Sequence, residues 1–266
     1  MTSLRDPATI AFVTHPTVTP VPATPPALQP AAPDLREYGA PKGGARQSSD
    51  RRLFMQLLVY TGCLNHAPLA EALAASRLES VLYLNVNDPR GVGVLLLSED
   101  PAQLIGPVRA LLTAAPFAAL IPQPACTMLG RTYALGHEAD LEDWLLAKPR
   151  RVALNPALPW AVWYPLRRKP EFELLTKEEQ RDVLMEHGRI GVAYGTARLA
   201  QDIRLACHGL DAHDNEFLLG IASPQLAAIS RLIQDMRKTR QTAEYMQSLG
   251  PFFVGHVAYQ TPLVRA

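Results

Sequence analysis

From Leu53 onward, apolar and polar positions fall into two successive runs of the same order. Leu53–Tyr60 is a strand-like run, Ala67–Ser76 reads as a short helix, and Val81–Val86 and Gly93–Ser98 are strands around the turn Asn87-Asp88-Pro89-Arg90-Gly91. Asp100–Leu112 follows as a helix with Pro101 in its first turn, and Cys126–Ala134 supplies a further strand. The order is β-α-β-β-α-β, that of a ferredoxin-like unit. After a connecting stretch around Leu141–Leu158 the order repeats. Trp160–Leu166 is a strand, Thr176–Tyr194 a helix, Leu199–Cys207 and Glu216–Ala222 strands, Pro224–Met236 a helix and Phe252–Val257 the last strand. The strand-to-helix joins SEDPAQLIGPVRALL and ASPQLAAISRLIQDM also correspond. The expected fold is α+β, with two ferredoxin-like units whose sheets form a dimeric α+β barrel with the helices outside. Such a barrel leaves room for a ligand between sheet and helix.

The segment before this pattern differs in kind. Residues 1–50 are rich in Pro, Ala, Thr and Gly, as in HPTVTPVPATPPALQPAAP, and are expected to be an extended or disordered arm. The expected division is therefore arm 1–50, first unit 51–140, connector 141–159 and second unit 160–266.

Composition narrows the function classes. A formal net charge of +1 sets up no overall field for nucleic acid or an anionic membrane. No apolar run is long enough to span a bilayer. Cys63, Cys126 and Cys207 are widely spaced, with no CxxC pair and no secretory leader, which fits a reducing, cytoplasmic compartment.

Candidate chemistry concentrates in one helix. Thr176 and Glu179 have the spacing of a capping box, and Gly195 is placed to end the helix. Val183, Leu184, Ile190 and Tyr194 share the side of His187. Gly188 and Gly191 clear space beside it for something flat and large. A core histidine bonded to a carbonyl and a metal or heme ligand both fit this helix taken alone. Upstream, the strand Trp163-Tyr164-Pro165-Leu166 ends in Arg167, Arg168 and Lys169. A phenol, carboxylate-binding cations and an imidazole together suit an aromatic polycarboxylate with a metal. His208 and His213, beside Asp211 and Asp214, lie in a turn between strands and read as turn residues.

These residues carry a resemblance. WYPLRR, a helix containing EHGRIGVAYG, then HGLDAHDNEFLLGI, DMRKT and LGPFFVG, resemble the chlorite dismutase family, most closely its branch of peroxide-dependent coproheme decarboxylases. The element order matches over Leu53–Gly255, and the residue match lies in Trp160–Gly255. The resemblance implies iron of heme b or coproheme as cofactor, coproheme and hydrogen peroxide as substrates, and a homo-oligomer, often a pentameric ring. It places the iron ligand on His187, the decarboxylase tyrosine on Tyr164, and the propionate-binding cation on Arg168 or Lys169. The arginine of the family's MR pair falls on Arg237.

Three departures accompany the match. The loop after Tyr164 is shorter than is typical of the branch. The distal position, Arg in chlorite dismutases and often Gln in decarboxylases, falls in LAQDIRLAC on Gln201 or Asp202. Counting back from Gly209 favours Asp202, whereas the alternation Leu199, Gln201, Ile203, Leu205 favours Gln201, the residue taken here. Arg204 on the same strand is the reserve cation for chlorite chemistry. Finally, the acid the family often supplies near its iron-binding histidine falls on Arg240. Chlorite dismutation to chloride and oxygen, and a heme carrier or sensor without turnover, are the alternative functions.

Overall fold

The alternating strands of both halves close into one antiparallel barrel. The computed structural model describes residues 32–263. Its strands are β1 (Glu37–Lys42), β2 (Ala45–Ser49), β3 (Phe54–Thr61), β4 (Ser80–Asn85), β5 (Val92–Ser98), β6 (Ile121–Pro122), β7 (Met128–Arg131), β8 (Trp160–Arg168), β9 (Gln201–Ala206), β10 (Phe217–Ser223), β11 (Met246–Leu249) and β12 (Phe253–Gln260). The helices are α1 (Ala67–Ser76), α2 (Ala102–Ile105), α3 (Pro107–Leu112), α4 (Lys148–Ala153), α5 (Lys177–Thr196), α6 (Leu226–Met236) and α7 (Arg240–Tyr245).

Within the first unit the strands run β7-β3-β5-β4, and within the second β12-β8-β10-β9. These are the same order, 4-1-3-2 in each unit's own count. The units join twice, through β12 against β4 and through the pair Arg131↔Ala206 between β7 and β9, which closes eight strands on themselves. Closure removes the open edges that a lone ferredoxin-like sheet would present.

Period-two alternation then sorts each strand into an inner and an outer row. Trp163, Ile203, Leu205, Leu218 and Phe253 point into the barrel, where they pack with Leu53, Met55, Leu57 and Tyr83. The Trp163 ring lies so close over Gly220 that a Cβ there would meet it at 2.4 Å. The connector is more than a link. A wide helical turn at Asp143–Ala147 runs into α4, and its Leu145, Leu146, Val152 and Leu154 pack into the same interior core. Outside, α1 and α3 cover the first unit through Leu69, Leu73 and Val108. On the second unit Ile229 and Leu232 of α6 and Ile190 and Tyr194 of α5 cover Val162, Tyr164 and Ile221.

Several boundaries differ from the sequence expectation. Residues 37–49, assigned to the arm, form the β1–β2 hairpin, turning at Gly43 and Gly44 with φ of +62° and +85°. Glu37 fastens it by accepting from Arg52 at 3.1 Å and Arg131 at 2.9 Å, and Gln47 bonds Glu138 O and Leu141 N. The remainder of the arm up to residue 31 lies outside the described residues. The expected single helix Asp100–Leu112 breaks at Gly106 before Pro107, which lacks the N–H a continuous helix needs. Gly195 does not end α5, which runs to Thr196; the left-handed residue beyond it is Arg198, φ +56°. Among the described residues, no helix is long and apolar enough to cross a membrane.

Candidate functional site

Helix α5 begins as its sequence requires. Glu179 N donates to Thr176 Oγ1 at 3.3 Å, and Thr176 N donates to Glu179 Oε2 at 2.9 Å. A cap of this kind is worth about 1 kcal/mol, and it fixes where the following turns face. Val183 is fully buried, and His187, Ile190 and Tyr194 continue its face. Leu184, placed on that face by spacing, is instead 40% exposed.

His187 is half-buried, and its Nδ1 lies 3.1 Å from Thr239 Oγ1. Burial lowers its imidazole to about 4, with nearby Arg204 adding to the effect and Glu186 and Asp202 opposing it. The ring is therefore neutral at physiological pH. A Cβ built on Gly188 meets nothing within 4 Å, so one flank of His187 is open, while at Gly191 it would touch Met236 Cε at 3.5 Å.

Tyr164 sits opposite, on the outer row of β8. It is 5% exposed and stacks on Phe252 with ring centroids 4.6 Å apart. Burial, and then Asp202, raise its phenol far above the usual value, while Arg237 and Arg204 act against that shift. The hydroxyl therefore keeps its proton at any physiological pH. Register places Tyr164 across from Leu219, and Leu219 across from Arg204, so Tyr164 and Arg204 share one row. Asp202 lies across from Ile221 on the same outer face.

The same register corrects the choice of Gln201. Gln201 pairs with Ala222, an interior residue, so it belongs to the inner row with Ile203 and Leu205. The alternation does mark an apolar row, but that row fills the barrel and does not face α5. Asp202 and Arg204 are the β9 residues on the Tyr164 side.

Of the expected carboxylate-binding cations, Arg168 is already engaged within the chain. Its Nε lies 3.4 Å from Glu216 Oε2, its Nη2 3.3 Å from Glu173, and its guanidinium covers Phe172 and Phe217. Lys169 is exposed beside it. Arg237 is exposed just after α6, and its charge acts on Tyr164. Three participants were not foreseen. Lys148 of α4 reaches Asp202 at 3.5 Å, Tyr133 after β7 is influenced by Arg204 and Arg168, and Thr239 holds His187. No local pattern marks Lys148 or Tyr133, because each comes from the far side of the barrel closure. The turn at His208–Asn215 is built on Asp211, whose Oδ2 accepts from His213 N and Asn215 N, and His208 packs edge-on to Phe217.

A neutral imidazole on an open-flanked helix, packed over the sheet face that carries the buried Tyr164 phenol and Arg204, suits a flat metal-bearing ring with acidic arms. A negative metal ligand such as thiolate is not offered at this place; the buried Cys207 Sγ lies against Asn215 O in the next turn. The barrel and the sheet face under α5 define a duplicated ferredoxin-like protein whose candidate site lies on its second unit. Residues 134–258 match the family described as Chlorite dismutase. Solved structures agree on the fold. A heme-binding protein from Thermus thermophilus aligns at 19% identity and TM-score 0.61, covering 78% of this chain and 91% of that one. A putative chlorite dismutase aligns at 16% and 0.60, covering 78% and 95%. Chlorite dismutase from Candidatus Nitrospira defluvii, in complex with imidazole, aligns at 12% and 0.61, covering 79% and 92%.

Proposed function

We propose that the chain is a heme-type oxidoreductase that binds an iron tetrapyrrole through His187 and decarboxylates coproheme to heme b at the expense of peroxide. The Thermus relative's description as a heme-binding protein supports the cofactor class. The carrying observation is Tyr164, a buried, protonated phenol on the sheet face covered by the His187 helix, where the charges of Arg237 and Arg204 reach it. The bound iron would supply the activation of peroxide.

The chain's own residues do the rest. His187 offers a lone pair in the neutral form that a metal requires. Tyr164 yields a hydrogen atom and regains one, relaying the oxidation to a propionate. Arg237 and Lys169 hold carboxylates, and Arg168 stiffens the strand end on which Tyr164 sits. Each propionate gives up carbon dioxide, two electrons and a proton to become a vinyl group. One hydrogen peroxide takes the two electrons with two protons, the one released and one from solvent, and becomes two waters. A homopentameric, cytoplasmic enzyme belongs to the same reading. Mass spectrometry of the tetrapyrrole after incubation with coproheme and peroxide tests it: loss of two carboxyl groups is expected, and unchanged coproheme removes the decarboxylase assignment.

One observation favours a second reading. Arg204 shares the Tyr164 row, where a cation would hold an oxychlorine anion. Rapid oxygen evolution from chlorite by the reconstituted protein would select chlorite dismutation instead.

A further inference from the structure

Thr239 occupies the position before α7 where a threonine ordinarily caps the helix, yet its side chain makes no cap bond. Its hydroxyl instead donates to Met236 O at 2.8 Å. A hydroxyl has one proton to give. With that proton committed, Oγ1 meets His187 Nδ1 at 3.1 Å as an acceptor, so Nδ1 carries the hydrogen and Nε2 the lone pair. The first amide of α7, Arg240 N, is taken by Glu186 Oε2 at 3.3 Å. Two roles have thus changed hands. The carboxylate next to His187 serves the helix end, and the hydroxyl of the helix end serves His187. Thr239 is only 2% exposed, so water does not compete for the bond.

We propose that Thr239 is the positioning residue of His187, fixing the tautomer that presents Nε2 to a metal and doing so through a neutral oxygen. The proposal rests on the reading of His187 as an iron ligand. A neutral acceptor draws less on the N–H than a carboxylate does, so the imidazole remains the weaker, less imidazolate-like donor. Outer partners of this kind typically carry about 10–100-fold in metal affinity.

The test uses the full chain labelled with 15N-histidine, without added ring, and reads the tautomer of His187 from long-range nitrogen–proton correlations at neutral pH. Wild type and Thr239→Ser are expected in the Nδ1–H form, and Thr239→Val is expected to shift toward Nε2–H. Titration with ferric heme is expected to show about 10–100-fold weaker binding for Thr239→Val, restored in Thr239→Ser. Wild type in the Nε2–H form overturns the proposal without any variant having to fold. So does a Thr239→Val protein with the wild-type tautomer, or with wild-type affinity. Equal heme affinity of wild type and His187→Ala rejects the iron-ligand reading instead, and the tautomer spectrum still reports on Thr239 alone.

Discussion

Asp202 grips the guanidinium of Arg204 two residues along the same outer row of β9, and Lys148 approaches the same carboxylate from α4. Burial alone would push the Asp202 carboxyl up, but Arg204 and Lys148 outweigh it and hold the group below the usual carboxylate range. Asp202 is therefore ionised at neutral pH and cancels much of the field that Arg204 would otherwise project toward the pocket. Asp202→Asn should uncover that field. In the ferric, ring-loaded protein its affinity for cyanide or azide should rise about tenfold, or ~1.4 kcal/mol. Adding Arg204→Gln should abolish the gain. Spectroscopic anion titrations check this, and equal affinities in wild type and Asp202→Asn would mean that Arg204 does not face the ring.

The open flank at Gly188 makes a prediction with opposite signs for stability and binding. A Cβ there touches nothing, so Gly188→Ala should stabilise the ring-free protein by up to about 1 kcal/mol through helix propensity. Gly188→Phe should remain folded yet bind ferric heme far more weakly, since it fills the space a flat ligand needs. Urea melts and heme titrations measure the two effects. Tight heme binding by Gly188→Phe would place the ring elsewhere.

Acid should weaken the ring-free protein partly through His187. Its folded value of about 4 lies below the ordinary 6.5, so the unfolded chain takes up a proton that the folded chain refuses. This contribution is complete above about pH 6.5 and is lost as pH falls toward 4, with an upper bound of about 3 kcal/mol. His187→Gln lacks it. The stability difference between wild type and this variant should therefore shrink, or change sign, between pH 7 and pH 4.5. Parallel stability curves would contradict the buried, neutral imidazole.

How much of this was legible in the chain depends on range. The capping box at Thr176, the βαββαβ order and, Leu184 apart, the helix face of His187 are local periodicities, and the structure places them where the sequence does. Gln201 was misplaced because a half-buried strand of a barrel has two apolar sides. Alternation shows that Ile203 and Leu205 are buried together, but only pairing with Leu218 and Gly220 shows which side that is. The partners of His187 and Asp202 were invisible for a different reason. Thr239 and Lys148 stand far from them in sequence, and only helix packing and barrel closure bring them in. Arg168 is visible in the sequence as a cation at the end of β8, but its pairing with Glu216 depends on the β8–β10 register.

Tyr164 supplies the most discriminating prediction, because its packing and its chemistry can be separated. Phenylalanine preserves the stack on Phe252 and the place in the outer row, so Tyr164→Phe should fold and bind coproheme with an affinity close to wild type. It cannot give up a hydrogen atom from oxygen. If the phenol relays oxidation to the propionates, decarboxylation by Tyr164→Phe should fall by orders of magnitude, a hundredfold loss corresponding to about 2.7 kcal/mol in the barrier. Single-turnover assays with coproheme and peroxide, followed by mass spectrometry of the ring, measure that directly. The pH profile adds a second check. Burial and Asp202 keep the phenol protonated, so no loss of activity from Tyr164 ionisation should appear up to about pH 10, the ordinary phenol range. A Tyr164→Phe protein that forms product at the wild-type rate would reduce Tyr164 to a packing residue, and the site would then have to work through Arg204.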